Sequence, residues 1–382
     1  MFIAVVSTVI SQKVENPEYK SFLNNSQRLY DALFSTYTKE LSPILTRKEE
    51  VPINTSNDTR FNVNISLYFV KLVDVTEEEE KFSTLSEIFM TWIDPRLKWN
   101  PSDYGGLQEL HVNADSVWQP ENSLSDTSDI QEIYPPDIKT VIIKPEGTVS
   151  ILRKIYAEST CKMTNIGHFP FDRETCSLYF MVYSYNYWDV KMTLAIPQPN
   201  IVNFAGNSEW DVEQITYGIS FYNDSSYAYD FDSGAFNLVL RRQPHFYIYV
   251  IVLPCFTLCI LSAIGMFWSS NRREDQLAKL SIGLTSLMSI AVLLQIVTDS
   301  IPKSQTFPLL GFYAIVSVFM IALGCAVLVS LPISTESTKK SIEAGSAVRR
   351  FLYRLTYPHV ILHILFQLGN IINLIVFFSY WR

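Results

Sequence analysis

Ser281, Thr285, Met288, Val292, Gln295 and Asp299 recur at alternating spacings of four and three, so one face of any helix that contains them collects all six. Hydroxyls, an amide and a carboxylate on one stripe can stand in for water around an ion, and the apolar pair in the middle would interrupt that wet path. The element that must carry them is residues 277 to 300, an apolar stretch long enough to cross a bilayer. A helix in lipid would not turn such groups to hydrocarbon, so the stripe faces protein or water. Two readings follow: polar glue between packed helices, or a pore lining whose rings flank a hydrophobic constriction at Met288.

The rest of the chain separates into two halves. All five Asn-X-Ser/Thr sequons, at Asn24, Asn54, Asn57, Asn64 and Asn223, precede the first long apolar run, which marks the first half as extracellular. Beyond that run ten Lys and Arg face five Asp and Glu, a balance of +5 that leaves −13 for the first half of a chain whose net charge is −8. An acidic ectodomain argues against a nucleic-acid partner and would gather cations. Nothing in the sequence supplies a nucleophile with its base, a metal cluster or a phosphate loop, so no enzyme, cofactor or metal is expected, and His359 and His363 share a helix face.

Residues 1–16 read as an N-terminal segment or a signal remnant, too short to span and without a basic leader. Tyr19, Phe22, Leu29, Leu33 and Phe34 give residues 17–37 a helical period. Short, often alternating runs then follow at 61–72, 85–92, 140–143, 149–155, 177–183 and 235–240, the pattern of a β-sandwich. Four spans are expected at 245–268, 277–298, 307–331 and 358–381. Basic residues in the first and third connections put those on the cytoplasmic side and both termini outside. The expected fold is therefore an α+β membrane protein: an extracellular β-sandwich with an N-terminal helix over residues 17–243, then a four-helix transmembrane bundle over 244–382 with a short cytoplasmic linker at 332–357.

Cys161 and Cys176 are the only cysteines of the glycosylatable half, so an oxidising compartment should pair them. The loop between them, with Phe169-Pro170-Phe171-Asp172 at its core, resembles the signature of the Cys-loop receptors, the pentameric ligand-gated ion channels. The run Trp92-Ile93-Asp94-Pro95-Arg96-Leu97-Lys98-Trp99 and the later Val117-Trp118-Gln119-Pro120-Glu121 are similar to nicotinic-type ectodomains, with an additional likeness to glycine receptors around Asp94. The short third connection fits a nicotinic-like, invertebrate-type subunit, or the removal of a larger cytoplasmic part.

The resemblance implies a plasma-membrane, postsynaptic homo-pentamer or mixed pentamer in contact with lipid, in which a small-molecule agonist, cationic by analogy, admits inorganic ions. It implies a pore lined by Lys279, Ser281, Thr285, Met288, Val292, Gln295 and Asp299. Glu77, Phe169, Pro170, Phe171, Asp172, Arg242 and Pro302 would couple the two halves. Ligand positions fall on Tyr183, Tyr185, Phe221, Tyr222, Tyr227, Tyr229 and Phe231, and on Glu87, Ser150 and Leu152 of the complementary face. Ser125 stands where the family places Tyr and Glu87 where an aromatic is usual, which departs from an acetylcholine box. Asp299 favours cations and Lys279 anions; cations are the expected charge, with an anion channel or a non-conducting accessory subunit as alternatives.

Overall fold

Asn16 and Pro17 start the first helix, because the Asn16 side chain accepts the Glu18 amide at 3.0 Å and proline is preset for a first turn. The computed structural model describes residues 16–46, 58–121, 123–135, 138–223, 230–268, 273–300, 306–330 and 358–381. Helix α1 runs Pro17–Phe34, ending one turn earlier than its apolar period suggests, and buries Leu29 and Leu33 against the sandwich.

Two sheets form that sandwich. One contains β3 (Leu110–Asn113), β6 (Thr140–Ile143), β7 (Thr148–Thr160), β2 (Lys81–Ile93), β1 (Phe61–Thr76) and β9 (Val190–Ala195) in that order, with β5 (Thr127–Glu132) pairing off β7. The other is β10 (Trp210–Tyr222), β11 (Phe231–Arg242), β8 (Arg173–Met181) and β4 (Ser123–Ser125). Each expected strand is present; β6 has the expected bounds and the others are longer than expected. β3, β4, β5, β9 and β10 were missed, because most are short or carry no regular apolar alternation.

The Trp92–Trp99 run folds into a clamp. Asp94, fully buried, accepts from Arg96 Nε at 2.9 Å and from Tyr37 Oη at 2.9 Å, and the Tyr37 hydroxyl accepts the Trp118 amide at 2.9 Å. Burial, joined by the Asp94 charge, pushes the Tyr37 phenol up to about 12, so it stays a donor. Gly147 closes the β6–β7 turn at φ +83°, where a Cβ would meet the Asp94 carbonyl at 2.5 Å, so only glycine fits.

Among the described residues four helices are long and apolar enough to cross a membrane. They are α2 (His245–Phe267, with a π turn over Ile248–Val252), α3 (Arg273–Ser300), α4 (Leu309–Ser330) and α5 (Pro358–Phe378). Side-chain amides bind them together: Gln367 donates to the Ile260 carbonyl, Asn370 to that of Phe256, and Asn373 to that of Tyr313, all at 3.2–3.3 Å.

Candidate functional site

On α3 the expected stripe is the exposed face of the helix. Ser281, Thr285, Met288 (73% exposed), Val292 and Gln295 all lie open, joined by Leu277 and Leu284. The opposite face, Gly283, Ser286 and Ile290, packs into the bundle. Thr285 turns its hydroxyl proton back to the Ser281 carbonyl at 2.8 Å, which leaves its oxygen lone pairs facing outward. Lys279 is a correction. It sits two residues before Ser281, about 200° round the helix, and its side chain is 5% exposed among the other helices rather than on the open face. The side chain of Asp299 lies outside the described residues.

A second constellation lies where the sandwich meets the bundle. Strand β11 ends on Arg242, 1% exposed, whose guanidinium is shared among three carboxylates. Nε donates to Asp172 at 2.9 Å, Nη2 to Glu77 at 2.7 Å and Nη1 to Glu209 at 2.6 Å. Its Cζ lies 4.1 Å from the centroid of the Trp210 ring and 4.7 Å from that of Phe169. Burial alone would lower its pKa, but Asp172 and Glu77 more than reverse this, so the group stays charged. Glu77 comes from the turn after β1, and it is the partly buried member of the acidic run Glu77 to Glu80, whose other three carboxylates are exposed.

The disulfide Cys161–Cys176 closes the intervening loop and presents it to the helices. Phe169 packs edge-on to Tyr247 of α2 at 4.6 Å, and its carbonyl accepts the Leu310 amide at the start of α4. Pro170 is buried beside it, and Phe171 packs on Phe377 and stacks on Trp381 at the end of α5. Inside the loop Glu174 accepts the Thr164 and Asn165 amides at 3.0 and 2.7 Å; burial nevertheless holds its carboxyl above the ordinary value. Sequence reading missed Glu209, Trp210, Tyr247 and Trp381. Only the Trp210–Arg242 register across β10 and β11 would have found one of them. Pro302 lies outside the described residues.

The third group is aromatic. Tyr183 meets Phe231 edge-on at 5.5 Å, and Tyr222 stacks on the same ring at 5.9 Å. Phe231 is 3% exposed and forms the floor, while Tyr183, Phe221 and Tyr222 are open. Tyr185 lines a small adjoining cavity. Tyr227 and Tyr229 lie outside the described residues. Ser125 pairs with Tyr179 across β4 and β8. Glu87, Ser150 and Leu152 lie on β2 and β7 of the other sheet. Ser150 is buried, Leu152 open, and Glu87 is ion-paired to Lys154 at 2.9 Å. Of the sequons, Asn24 and Asn223 are exposed and Asn64 lies within β1, its side-chain oxygen accepting from Thr193; Asn54 and Asn57 fall outside the described residues.

A disulfide-closed loop of this core lies between a two-sheet sandwich and four apolar helices. Residues 26–244 match the neurotransmitter-gated ion-channel ligand binding domain, and the chain belongs to that Cys-loop family. It is 31% identical over 81% of its length to the human neuronal acetylcholine receptor subunit beta-3, of which it covers 64%. It is 29% identical over 89% of its length to the rat neuronal acetylcholine receptor subunit alpha-5, of which it covers 72%. The chain thus spans about two thirds of the length of these relatives, and less than two thirds of the first.

Proposed function

We propose that this chain is a subunit of a ligand-gated, cation-selective ion channel of the plasma membrane. Five copies, alone or mixed with related subunits, surround an axis lined by the open face of α3. The observation that carries this reading is that face itself. Hydroxyls and an amide flank Met288 and Val292 on a helix that lipid alone would not accommodate, and five such faces enclose a water-filled path with an apolar constriction at those two levels. The turning of Lys279 into the bundle supports cations. Among the described side chains of α3 the exposed face carries no basic group, while Asp299 lies at the outer end of the same stripe in sequence.

A small agonist enters between the Tyr183, Tyr222 and Phe231 cluster of one subunit and the Glu87 and Leu152 face of the next. The relatives are named for acetylcholine, but the Glu87–Lys154 pair gives that second face a charged character, which favours a different amine. Binding is transmitted through β11 and the disulfide loop, whose Arg242 and Phe171 touch the helices or their neighbours.

The test is the reversal potential of current from Met288→Ser, expressed alone, across a NaCl gradient. A hydrophilic constriction should leak without agonist and reverse near the sodium potential. Reversal near the chloride potential would overturn cation selectivity. Surface-expressed protein without current would overturn the homomeric channel and leave an accessory subunit.

A further inference from the structure

Arg60, the residue before β1, lies against the aromatic face from behind. Its guanidinium makes a two-point contact with Asp58, Nε to Oδ1 at 3.0 Å and Nη2 to Oδ2 at 2.9 Å. Nη1 donates to the Tyr187 carbonyl at 3.3 Å and stands 3.8 Å from Asp232. The group also lies 4.6 Å from the centroid of the Tyr187 ring. Lys191 pairs with Asp58 at 3.1 Å, so two cations and two carboxylates balance in a region where the Arg60 side chain is 7% exposed and that of Asp232 12%.

These contacts reach three separate segments. Tyr187 belongs to the loop after β8, its ring meets Phe221 of β10 edge-on at 4.6 Å, and its amide donates to the Asp230 carbonyl just before β11. Asp232 directly follows Phe231, the floor of the Tyr183 and Tyr222 cluster. Phe61, next to Arg60, donates its amide to Asp189 and pairs with Val190 of β9. A cavity of about 10 Å³, room for one water, is lined by Tyr185, Tyr187, Phe231 and Asp232, so these groups are close without being packed solid.

We propose that Arg60 is the positioning residue of the aromatic face: a cation built into the chain that occupies one side of Tyr187 and pins both limbs of the β10–β11 hairpin to the start of β1. That this face receives an agonist rests on the function proposed above. Since Arg60 and Glu77 flank β1 at its two ends, and Asp232 and Arg242 lie near the two ends of β11, the two strands are joined by an ion pair near the aromatic face and by another above the helices. With the guanidinium on one face of Tyr187, that ring has only its other face for a ligand cation, and Tyr183 and Tyr222 are left as the open rings.

Hydrogen–deuterium exchange on the full chain tests this without agonist or current, so its outcome is independent of whether the channel conducts. Arg60→Ala should raise exchange in residues 186–190 and 230–233 by about tenfold or more, as loss of charged hydrogen bonds predicts. The lower half of the hairpin, 236–240, should not change. Millimolar guanidinium chloride, refilling the vacated space, should restore protection in the variant, whereas the same concentration of sodium chloride should not. If the alanine variant does not fold, Arg60→Lys, which keeps charge but loses the planar fork, should show a severalfold rise in the same two segments. Exchange equal to wild type in the variant that folds, a rise spread evenly over the sandwich, or rescue by sodium chloride would each overturn the assignment.

Discussion

Removing the Arg242 charge is the most informative single perturbation of the sandwich–helix junction. Its three carboxylate partners differ in burial: the Asp172 side chain is 0% exposed, that of Glu77 18% and that of Glu209 44%. Arg242→Gln leaves Asp172 in the interior with no cation, a loss worth about 3–5 kcal/mol for a buried pair broken on one side. Asp172→Asn removes two charge-assisted bonds but also relieves repulsion among the remaining carboxylates, so its cost should be about 2 kcal/mol. Glu209→Gln, half in solvent, should cost under about 1 kcal/mol. Arg242→Lys separates charge from shape, since an ammonium cannot span three partners or lie flat between Trp210 and Phe169. Unfolding of the purified full chain in detergent, followed by tryptophan fluorescence, should rank the variants in that order, with Arg242→Lys well below wild type. Equal losses for Asp172→Asn and Glu209→Gln, or a lysine variant indistinguishable from wild type, would refute the argument that burial and planarity decide the energetics here.

Cys161→Ser with Cys176→Ser opens a loop of 15 residues in sequence separation and should cost on the order of 3 kcal/mol, read as a lower unfolding temperature than wild type under oxidising conditions and no difference under reducing ones. Tyr37→Phe leaves the Trp118 amide without its acceptor and should cost about 1–3 kcal/mol by denaturant titration of the chain; a neutral outcome would mean water replaces the hydroxyl. Glu174 gives a pH dependence whose sign is fixed by its raised pKa. The folded chain keeps this proton at pH values where the unfolded chain has lost it, so the linked stabilisation is complete below about 4.5 and declines as pH rises through the raised value. Glu174→Gln should flatten the stability curve over that window, and an unchanged slope would exclude the group as its source.

The Cys161–Cys176 spacing and the Phe169–Asp172 core made the family legible in sequence, because loop length and core are local features. The α3 stripe was equally legible, since helical period alone decides which residues share a face. Lys279 was misread for the same reason: its place in the motif suggested the pore, while its angle around the helix puts it on the packed side. Contacts between residues far apart in the chain were not legible. Nothing in Glu209, Tyr247 or Trp381 announces that each closes around the disulfide loop or Arg242, because those contacts exist only once β10, α2 and α5 have converged. Arg60 is hidden similarly, 127 residues from the Tyr187 carbonyl to which it donates.

The seat of Phe171 against Phe377, Phe378 and Trp381 also sets an order of events during synthesis. About 200 residues separate the ring from its partners, and at about 5–20 residues per second the ribosome takes on the order of 10 to 40 s to deliver them. For that interval the disulfide-closed sandwich can be complete while an apolar ring at its base lacks the cover of the last helix. Whatever handles nascent chains on either side of the membrane meets that bare ring, and the arrival of the last helix withdraws it.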